Sequence, residues 1–236
     1  MAGEIKNNSW TAPLPMLLLL LSATTGMVDA ISVLGLGKVF TANMTGNIVF
    51  AGFAAVATPG FHLAPYLAAL GCFLLGAVIA GRTGKMHTDL SLRRWLLTAA
   101  AIEAGLLWIA AIVAIGFDIP SQAPSTRLFG VIGLTAMAMG FRNATVRQLK
   151  VPDLTTTVMT LTLTGLAADS RLAGGDSPNW RRRVASVAAI FIGAMVGAVL
   201  VVHWGLSLPL ALTGLLVVLG TILCASHPAV AQSASA

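Results

Sequence analysis

The chain has 236 residues, of which 57% are hydrophobic and only 9% are charged. A soluble domain carries roughly 25% charged residues, so this composition excludes an ordinary soluble protein and indicates an all-α membrane protein. The net charge of +6 resides in short loops between apolar runs. Because no stacking aromatic surface accompanies it, we interpret it as a topology signal and expect no nucleic-acid partner.

Six segments have the length of a transmembrane helix, which needs about 20 residues. They are roughly 13–36, 61–81, 95–117, 127–149, 184–204 and 207–225. A cytoplasmic tail, 1–12, precedes the first segment, and no signal-peptide cleavage site follows it, so we expect a retained helix. Two further segments, 39–57 and 154–169, are shorter or more polar. The predicted fold therefore has about six transmembrane helices plus two short re-entrant or broken helices.

Basic residues determine the predicted orientation. The loops 82–94 and 170–183 each hold four arginine or lysine residues, so both should be cytoplasmic. Both loops can lie on that side only if segments 39–57 and 154–169 do not cross the bilayer completely. The N-terminus and the C-terminus are then cytoplasmic as well.

The two halves of the chain resemble each other. Three matches occur in the same order: 26–30 with 140–144, 39–45 with 154–160, and Gly76, Ala77 and Ala80 with Gly193, Ala194 and Gly197. Because each half holds three spans, the second half must be inserted upside down, which predicts a 3+3 inverted repeat. The first repeat would cover 13–117 and the second 127–225. An outer loop, 118–126, joins them, and a flexible tail, 226–236, ends the chain.

A polar segment interrupts the apolar sequence at Phe40-Thr41-Ala42-Asn43-Met44-Thr45-Gly46-Asn47. Lipid tolerates such amides and hydroxyls only at a working site or at a helix break whose polar groups are satisfied. Alternatively, the amides only cap a short helix and the threonines bond their own helix carbonyls. The predicted substrate-binding residues are Asp29, Thr41, Asn43, Thr45, Gly46, Asn47, Asn143, Thr156, Thr157 and Thr160.

Asp29 follows sixteen almost wholly apolar residues. At about 1.5 Å per residue it lies in the outer third of a roughly 30 Å hydrocarbon core. An ionisable group at that depth is a functional hypothesis by default. It is either a gating or proton-coupling carboxylate, or an acid near the outer interface that pairs with Lys38.

Glu103 and Arg142 are expected at similar depths in the inner third of the membrane, where they could pair. The pair is either structural, because each charge makes the other tolerable, or an inner gate that opens when substrate competes for Arg142. Cys72 and Cys224 match no metal-ligand spacing, and no nucleotide loop, nucleophile elbow or catalytic dyad is visible. We therefore expect no metal, no cofactor and no enzymatic activity.

A family resemblance rests on the runs Gly26-x-Val28-Asp29-Ala30 and 40–47 and on the later runs Met139-Gly140-x-x-Asn143-Ala144 and 155–160. These runs resemble the signatures of the YoaK-type family of uncharacterised bacterial membrane proteins. The resemblance covers nearly the whole chain and implies a multi-pass protein of the bacterial inner (plasma) membrane. It implies no substrate. Arg142 departs from the family pattern, in which a Gln is expected.

Because no ATP-binding element is visible, the sequence indicates a secondary transporter or permease for a small solute. The solute would be an anion if the positive N-terminal ends of the two short helices point inward. Any coupling would use a proton or ion gradient. The rivals are a channel or passive facilitator, and a membrane enzyme or accessory subunit that uses Asp29 and Glu103 as acid and base. The expected partners are the lipid bilayer and a small-molecule solute. Whether the chain also forms a homo-oligomer is left open by the sequence.

Overall fold

The computed structural model describes residues 13–86, 91–149, 159–177 and 179–228. Within these residues the chain forms eight α-helices. They are α1 Pro13–Gly35, α2 Met44–Ala55, α3 Leu63–Met86, α4 Leu92–Val113, α5 Ser125–Leu149, α6 Met159–Ala168, α7 Trp180–Trp204 and α8 Ser207–Ala225. A short 3-10 helix, Arg171–Ala173, lies between α6 and α7. The predicted all-α class is confirmed.

Five of the described helices, α1, α3, α4, α7 and α8, are long and apolar enough to cross a membrane. Each matches a segment predicted from the sequence to within about five residues. The largest difference is in α3, which continues past the predicted end at residue 81 through Arg82 and Lys85. Long basic side chains can extend from a helix end into water, so the helix does not have to stop before them.

α5 is also long enough to span, with 25 residues, but it is less apolar than the other long helices. It packs against α3, α4 and α1, and its polar residues Thr135, Arg142 and Thr145 are buried. A helix that is surrounded by other helices rather than by lipid can carry charge. This position explains why segment 127–149 is long but polar.

α2 and α6 correspond to the two short segments of the sequence. They have 12 and 10 residues, so at 1.5 Å per residue they are only about 18 and 15 Å long. The hydrocarbon core of a bilayer is roughly 30 Å thick. Neither helix can cross it alone. α2 packs against α3, and α6 packs against α7.

α1 and α7 approach each other closely through glycines. A Cβ on Gly26 would collide with the main-chain carbonyl of Ile190, and a Cβ on Gly193 would collide with that of Ala23. Glycine lets two helix backbones come into direct contact, which is a common way to pack helices in a membrane. The α1–α7 pair is therefore fixed by main-chain contact rather than by side-chain size.

α3 and α5 pack in the same manner. A Cβ on Gly76 would collide with the carbonyl of Met137, and a Cβ on Gly140 would collide with that of Phe73. Gly76 and Gly193, which the comparison of the two halves matched to each other, thus both lie where two helix backbones touch.

Replacing Gly76 by Leu should destabilise the protein strongly, because the new side chain meets backbone that cannot move aside. Overpacking typically costs about 1–3 kcal/mol, so we expect a fall in melting temperature of roughly 3–10 °C in detergent. Gly71→Leu on the same helix is the matched control, since no atom lies within 4 Å of a Cβ at Gly71. Equal melting temperatures of the two variants would contradict the close α3–α5 contact.

α4 and α8 complete the bundle. The Trp108 Nε1 group on α4 donates a hydrogen bond of 3.2 Å to the carbonyl of Ala211 on α8. α8 also packs against α1, and α4 also packs against α5. Leu107, Ile132 and Leu210 are almost completely buried where these helices meet. The apolar core therefore lies between α1, α4, α5 and α8, around the polar groups described below.

Candidate functional site

Two neighbouring sets of bonded polar groups lie in the bundle, one helical turn apart on α1. They consist of Glu103 on α4, Arg142 on α5, Thr25 and Asp29 on α1, and the main-chain N–H of Ala42 before α2. We call the two sets together the polar column. It brings together side chains from both halves of the sequence.

Arg142 and Glu103 form a buried ion pair. Only 1% of the surface of Arg142 and 4% of that of Glu103 is exposed. The Arg142 Nε group donates to Glu103 Oε1 at 2.7 Å, and the Nη2 group donates to the same oxygen. The two charges that the sequence placed at similar depths therefore do pair. A single guanidinium contacting one carboxylate oxygen twice holds α4 against α5.

Arg142 also bonds α1. Its Nη1 group donates to the carbonyl of Leu21 at 3.1 Å and to the hydroxyl of Thr25 at 3.0 Å. The Thr25 hydroxyl in turn donates to the Leu21 carbonyl at 2.8 Å. Arg142 thus joins three helices through one side chain. Sequence reasoning did not identify Thr25, although its position one helical turn before Asp29 places both on the same face of α1.

Asp29 continues the column one turn further along α1, about 6 Å from Thr25 along the helix axis. Its Oδ1 atom accepts a hydrogen bond of 3.3 Å from the N–H of Ala42. The alternative that Asp29 pairs with Lys38 is wrong. The Lys38 Nζ atom instead lies 5.2 Å from the centre of the Phe61 ring.

The chain reaches Asp29 by folding back after α1. Gly37 and Lys38 adopt positive φ angles of 73° and 64°, which turn the chain towards the bundle. Thr41 and Ala42 are then buried, and Ala42 lies level with Asp29, six residues before the end of α1. Ala42, just before α2, therefore lies about 9 Å below the C-terminal end of α1, measured along that helix.

Asn47 holds this returning segment. Its Oδ1 atom accepts from the N–H of Phe40 at 2.9 Å, and its Nδ2 group donates to the carbonyl of Phe40 at 2.5 Å. Asn47 is completely buried, and the Phe40 ring lies where a Cβ on the neighbouring Gly46 would be. The geometry of Asn47 and Gly46 favours the alternative in which they satisfy and pack a helix break.

The other residues of the first motif are less constrained. Asn43 is the N-cap residue of α2, yet within the described residues its side chain makes no capping hydrogen bond, and it is exposed. Thr45 is exposed as well. Thr41 is fully buried, and its hydroxyl has no hydrogen-bond partner among the described residues. Asn43 and Thr45 are therefore accessible, whereas Thr41 is enclosed.

The residues predicted in the second half are placed only in part. Asn143 is half-buried on α5 next to Arg142. Thr160 is exposed on α6, which packs against α7. Thr156 and Thr157 lie outside the described residues.

A small cavity lies beside the ion pair, between α1, α4, α5 and α8. Its volume is about 30 Å³, and its polar lining is formed by Glu103, Arg142, Thr145 and Thr221. One water needs roughly 10–15 Å³ measured in this way, so the cavity holds about two waters. A solute does not fit. In this conformation the bundle is therefore closed on the Glu103 side of the polar column.

Comparisons with known proteins agree with a membrane protein of unassigned activity. A family model described as "Protein of unknown function (DUF1275)" matches residues 17–223. The chain is 34% identical over 157 residues to the UPF0700 transmembrane protein YoaK of Bacillus subtilis (strain 168), and this match covers 65% of the present chain and 65% of that relative. No solved structure matches at a significant level.

Proposed function

This chain belongs to the DUF1275 family of proteins of unknown function, and we propose that it is a secondary transporter or permease for a small solute. The observation that carries the proposal is the polar column. Ionisable groups within a membrane are costly, and they mark the paths of substrates, ions and protons. Here a buried arginine bonds one acid, Glu103, and also bonds Thr25, which lies one helical turn before the other acid, Asp29. These residues belong to helices of both halves of the chain.

An inverted repeat of α1–α4 and α5–α8 is part of the proposal. The glycine contacts support it, because both pairs of helices touch in the same register. In each pair, the glycine of one helix contacts a main-chain carbonyl of the other helix, and this carbonyl belongs to the residue three positions before that helix's own glycine. Gly26 and Gly193 do so between α1 and α7, and Gly140 and Gly76 do so between α5 and α3. Exchanging the two halves converts one pair of helices into the other.

The packing order of the helices supports the same repeat. α1 packs on α7 as α5 packs on α3, α8 packs on α1 as α4 packs on α5, and α2 packs on α3 as α6 packs on α7. Under this symmetry α5 is a sixth span, and α2 and α6 are short helices that enter from opposite faces. Transporters of this architecture bind their solutes where the repeats meet, near the midplane. The polar column joins α1 and α4 of the first half to α5 of the second half, as this architecture would require of a binding site.

The contacts of α2 also bear on the class of solute. The N-terminal end of a helix carries a partial positive charge that attracts anions. In this protein the carboxylate of Asp29 accepts from the N–H of Ala42, two residues before the first residue of α2, and so places a negative charge close to that end. A solute anion would have to compete with it. The geometry at α2 therefore favours a neutral or cationic solute over an anionic one.

The rival functions have less support. A channel needs a continuous aqueous path, whereas the cavity beside Arg142 is only about 30 Å³. A membrane enzyme would need a free acid and base, whereas the Glu103 carboxylate is bonded by Arg142. Transport that saturates with solute concentration would separate the proposed function from a channel.

The orientation of the repeat gives a test that needs no solute. Single cysteines at Lys85 and Leu172, both exposed, should react only with a reagent applied from the cytoplasm, and a cysteine at Pro120 only with one applied from outside. Cys72 and Cys224, the free cysteines of the described residues, are first replaced by Ser. Labelling of Lys85→Cys and Leu172→Cys from opposite sides would rule out the inverted repeat.

A further inference from the structure

The environment of Asp29 differs from that of Glu103. Glu103 accepts two hydrogen bonds from a guanidinium. Asp29 accepts its hydrogen bond from a main-chain N–H, and within the described residues it forms no salt bridge. Arg142 acts on Asp29 only over a distance, because its Nε and both Nη groups bond Glu103, Leu21 and Thr25. Of the two acids in the column, Asp29 is the one that can take up a proton without breaking an ion pair.

The hydrogen bond at Asp29 also has a structural consequence. Among the described residues, the hydrogen bond from Ala42 to Asp29 is the one that joins residues 39–43 to α1. The Phe40 main chain is bonded instead to Asn47 of α2, and the Thr41 hydroxyl has no partner among the described residues. Release of Ala42 therefore removes the hydrogen bond that joins this segment to α1, while α2 stays packed on α3.

We propose that the coupling ion of the transporter is the proton and that Asp29 is its binding site. This inference rests on the proposed transport function. A proton from water joins a carboxylate oxygen of Asp29 and later returns to water, and no other covalent bond forms or breaks. The neutral acid holds the N–H of Ala42 less strongly, because a hydrogen bond to an ionised acceptor is roughly twice as strong as a neutral one. Residues 39–43 then separate from α1.

The elements packed against α1 place one charged side chain close to Asp29. α5, α7 and α8 pack against α1, and Arg142 of α5 bonds Thr25, one helical turn before Asp29. Its positive charge favours the ionised acid, so a proton has to compete with it. α7 meets α1 at this level through Gly197, which lies against Met27 and Ala30. The other described charged or titratable groups of these helices lie near helix ends, at Arg127, Arg147, Arg181, Arg182, Arg183, His203 and Cys224. Lys38 of the returning segment lies over Phe61.

The inference can be tested with the proton as the probe. Thr41→Cys and Thr45→Cys are made separately in a protein whose two native cysteines are replaced by Ser. Thr41 is fully buried and Thr45 is exposed, so the ratio of their maleimide labelling rates reports release of the segment. The ratio cancels the pH dependence of the thiol reaction itself. Between about pH 8 and about pH 5 it should rise about tenfold or more, the effect of losing one charged hydrogen bond.

Two variants complete the test. Asp29→Asn imitates the protonated acid, so its ratio should be high at every pH, and Asp29→Glu keeps a titratable group, so its ratio should still change with pH. A ratio that does not change with pH when Asp29 is present overturns the inference. So does the same pH dependence in Asp29→Asn, or a ratio that follows Na⁺ at constant pH instead of the proton.

The outcome is independent of the search for a solute. A pH-independent ratio removes the proton site and leaves the transport proposal untouched. A pH-dependent ratio that disappears in Asp29→Asn, together with a failure to transport any solute, would instead overturn transport and leave Asp29 as a proton-binding residue.

Discussion

Replacing Glu103 by Gln should lower the free energy of unfolding by about 3–5 kcal/mol, because the buried charge of Arg142 would lose its partner. Arg142→Gln should cost a similar amount, since it leaves Glu103 charged and buried. The double variant should cost less than the sum of the two single variants, because neither charge is then left behind. Unfolding of the detergent-solubilised protein measures all three free energies in a double-mutant cycle.

A second ion pair provides the control. Arg183 Nη1 lies 2.6 Å from Asp169 Oδ2, and this pair is more accessible: the side chain of Arg183 is 13% exposed and that of Asp169 is 44% exposed. Removing a charge from a solvent-accessible pair typically costs about 0–1 kcal/mol, so Asp169→Asn should cost clearly less than Glu103→Gln. Additive losses for Glu103 and Arg142, or equal losses for Glu103→Gln and Asp169→Asn, would show that the buried pair does not stabilise the bundle.

Asn47→Ala should lower the free energy of unfolding by a similar amount, although it removes no charge. The N–H and the carbonyl of Phe40 would both lose their partner. Each unsatisfied buried group costs about 1–3 kcal/mol, so the free energy of unfolding should fall by roughly 2–6 kcal/mol. The measurement is again detergent unfolding.

Asn43→Ala is the matched control four residues earlier in the same segment. Asn43 is exposed and, within the described residues, makes no capping bond, so its removal should change stability by less than about 0.5 kcal/mol. If Asn43 contacts a solute, the same variant should weaken solute binding about tenfold. A stable Asn47→Ala variant with weakened binding would mean that Asn47, too, faces the solute.

Much of the fold was predictable because length and polarity decide it. An apolar run of about 20 residues can satisfy its backbone in lipid only as a helix, so the long helices follow from composition. The pairing of Glu103 with Arg142 was predictable from the similar depths at which the two residues were expected in the membrane, since an isolated charge there is costly. The structure supplied the partner that depth did not indicate, Thr25, whose hydroxyl also bonds its own helix as many threonines do.

The surroundings of Asp29 were not predictable to the same extent. Whether Lys38 can reach Asp29 depends on the φ angles at Gly37 and Lys38, and a pattern of residue types does not specify them. The same turn decides that Asn47 meets Phe40 rather than a solute. Local backbone geometry, rather than polarity, therefore separates the structural amide from the exposed amide of Asn43.

The central claim, solute transport through the polar column, is tested most directly by counterflow in proteoliposomes. The solute is one that raises the melting temperature of the purified protein in a screen of small anions, amino acids and nucleobases. We predict that labelled solute accumulates transiently in vesicles preloaded with the unlabelled compound, and that Arg142→Gln or Asn43→Ala diminishes this accumulation. Labelled solute that equilibrates without accumulation, or no uptake of any stabilising solute, would contradict the claim.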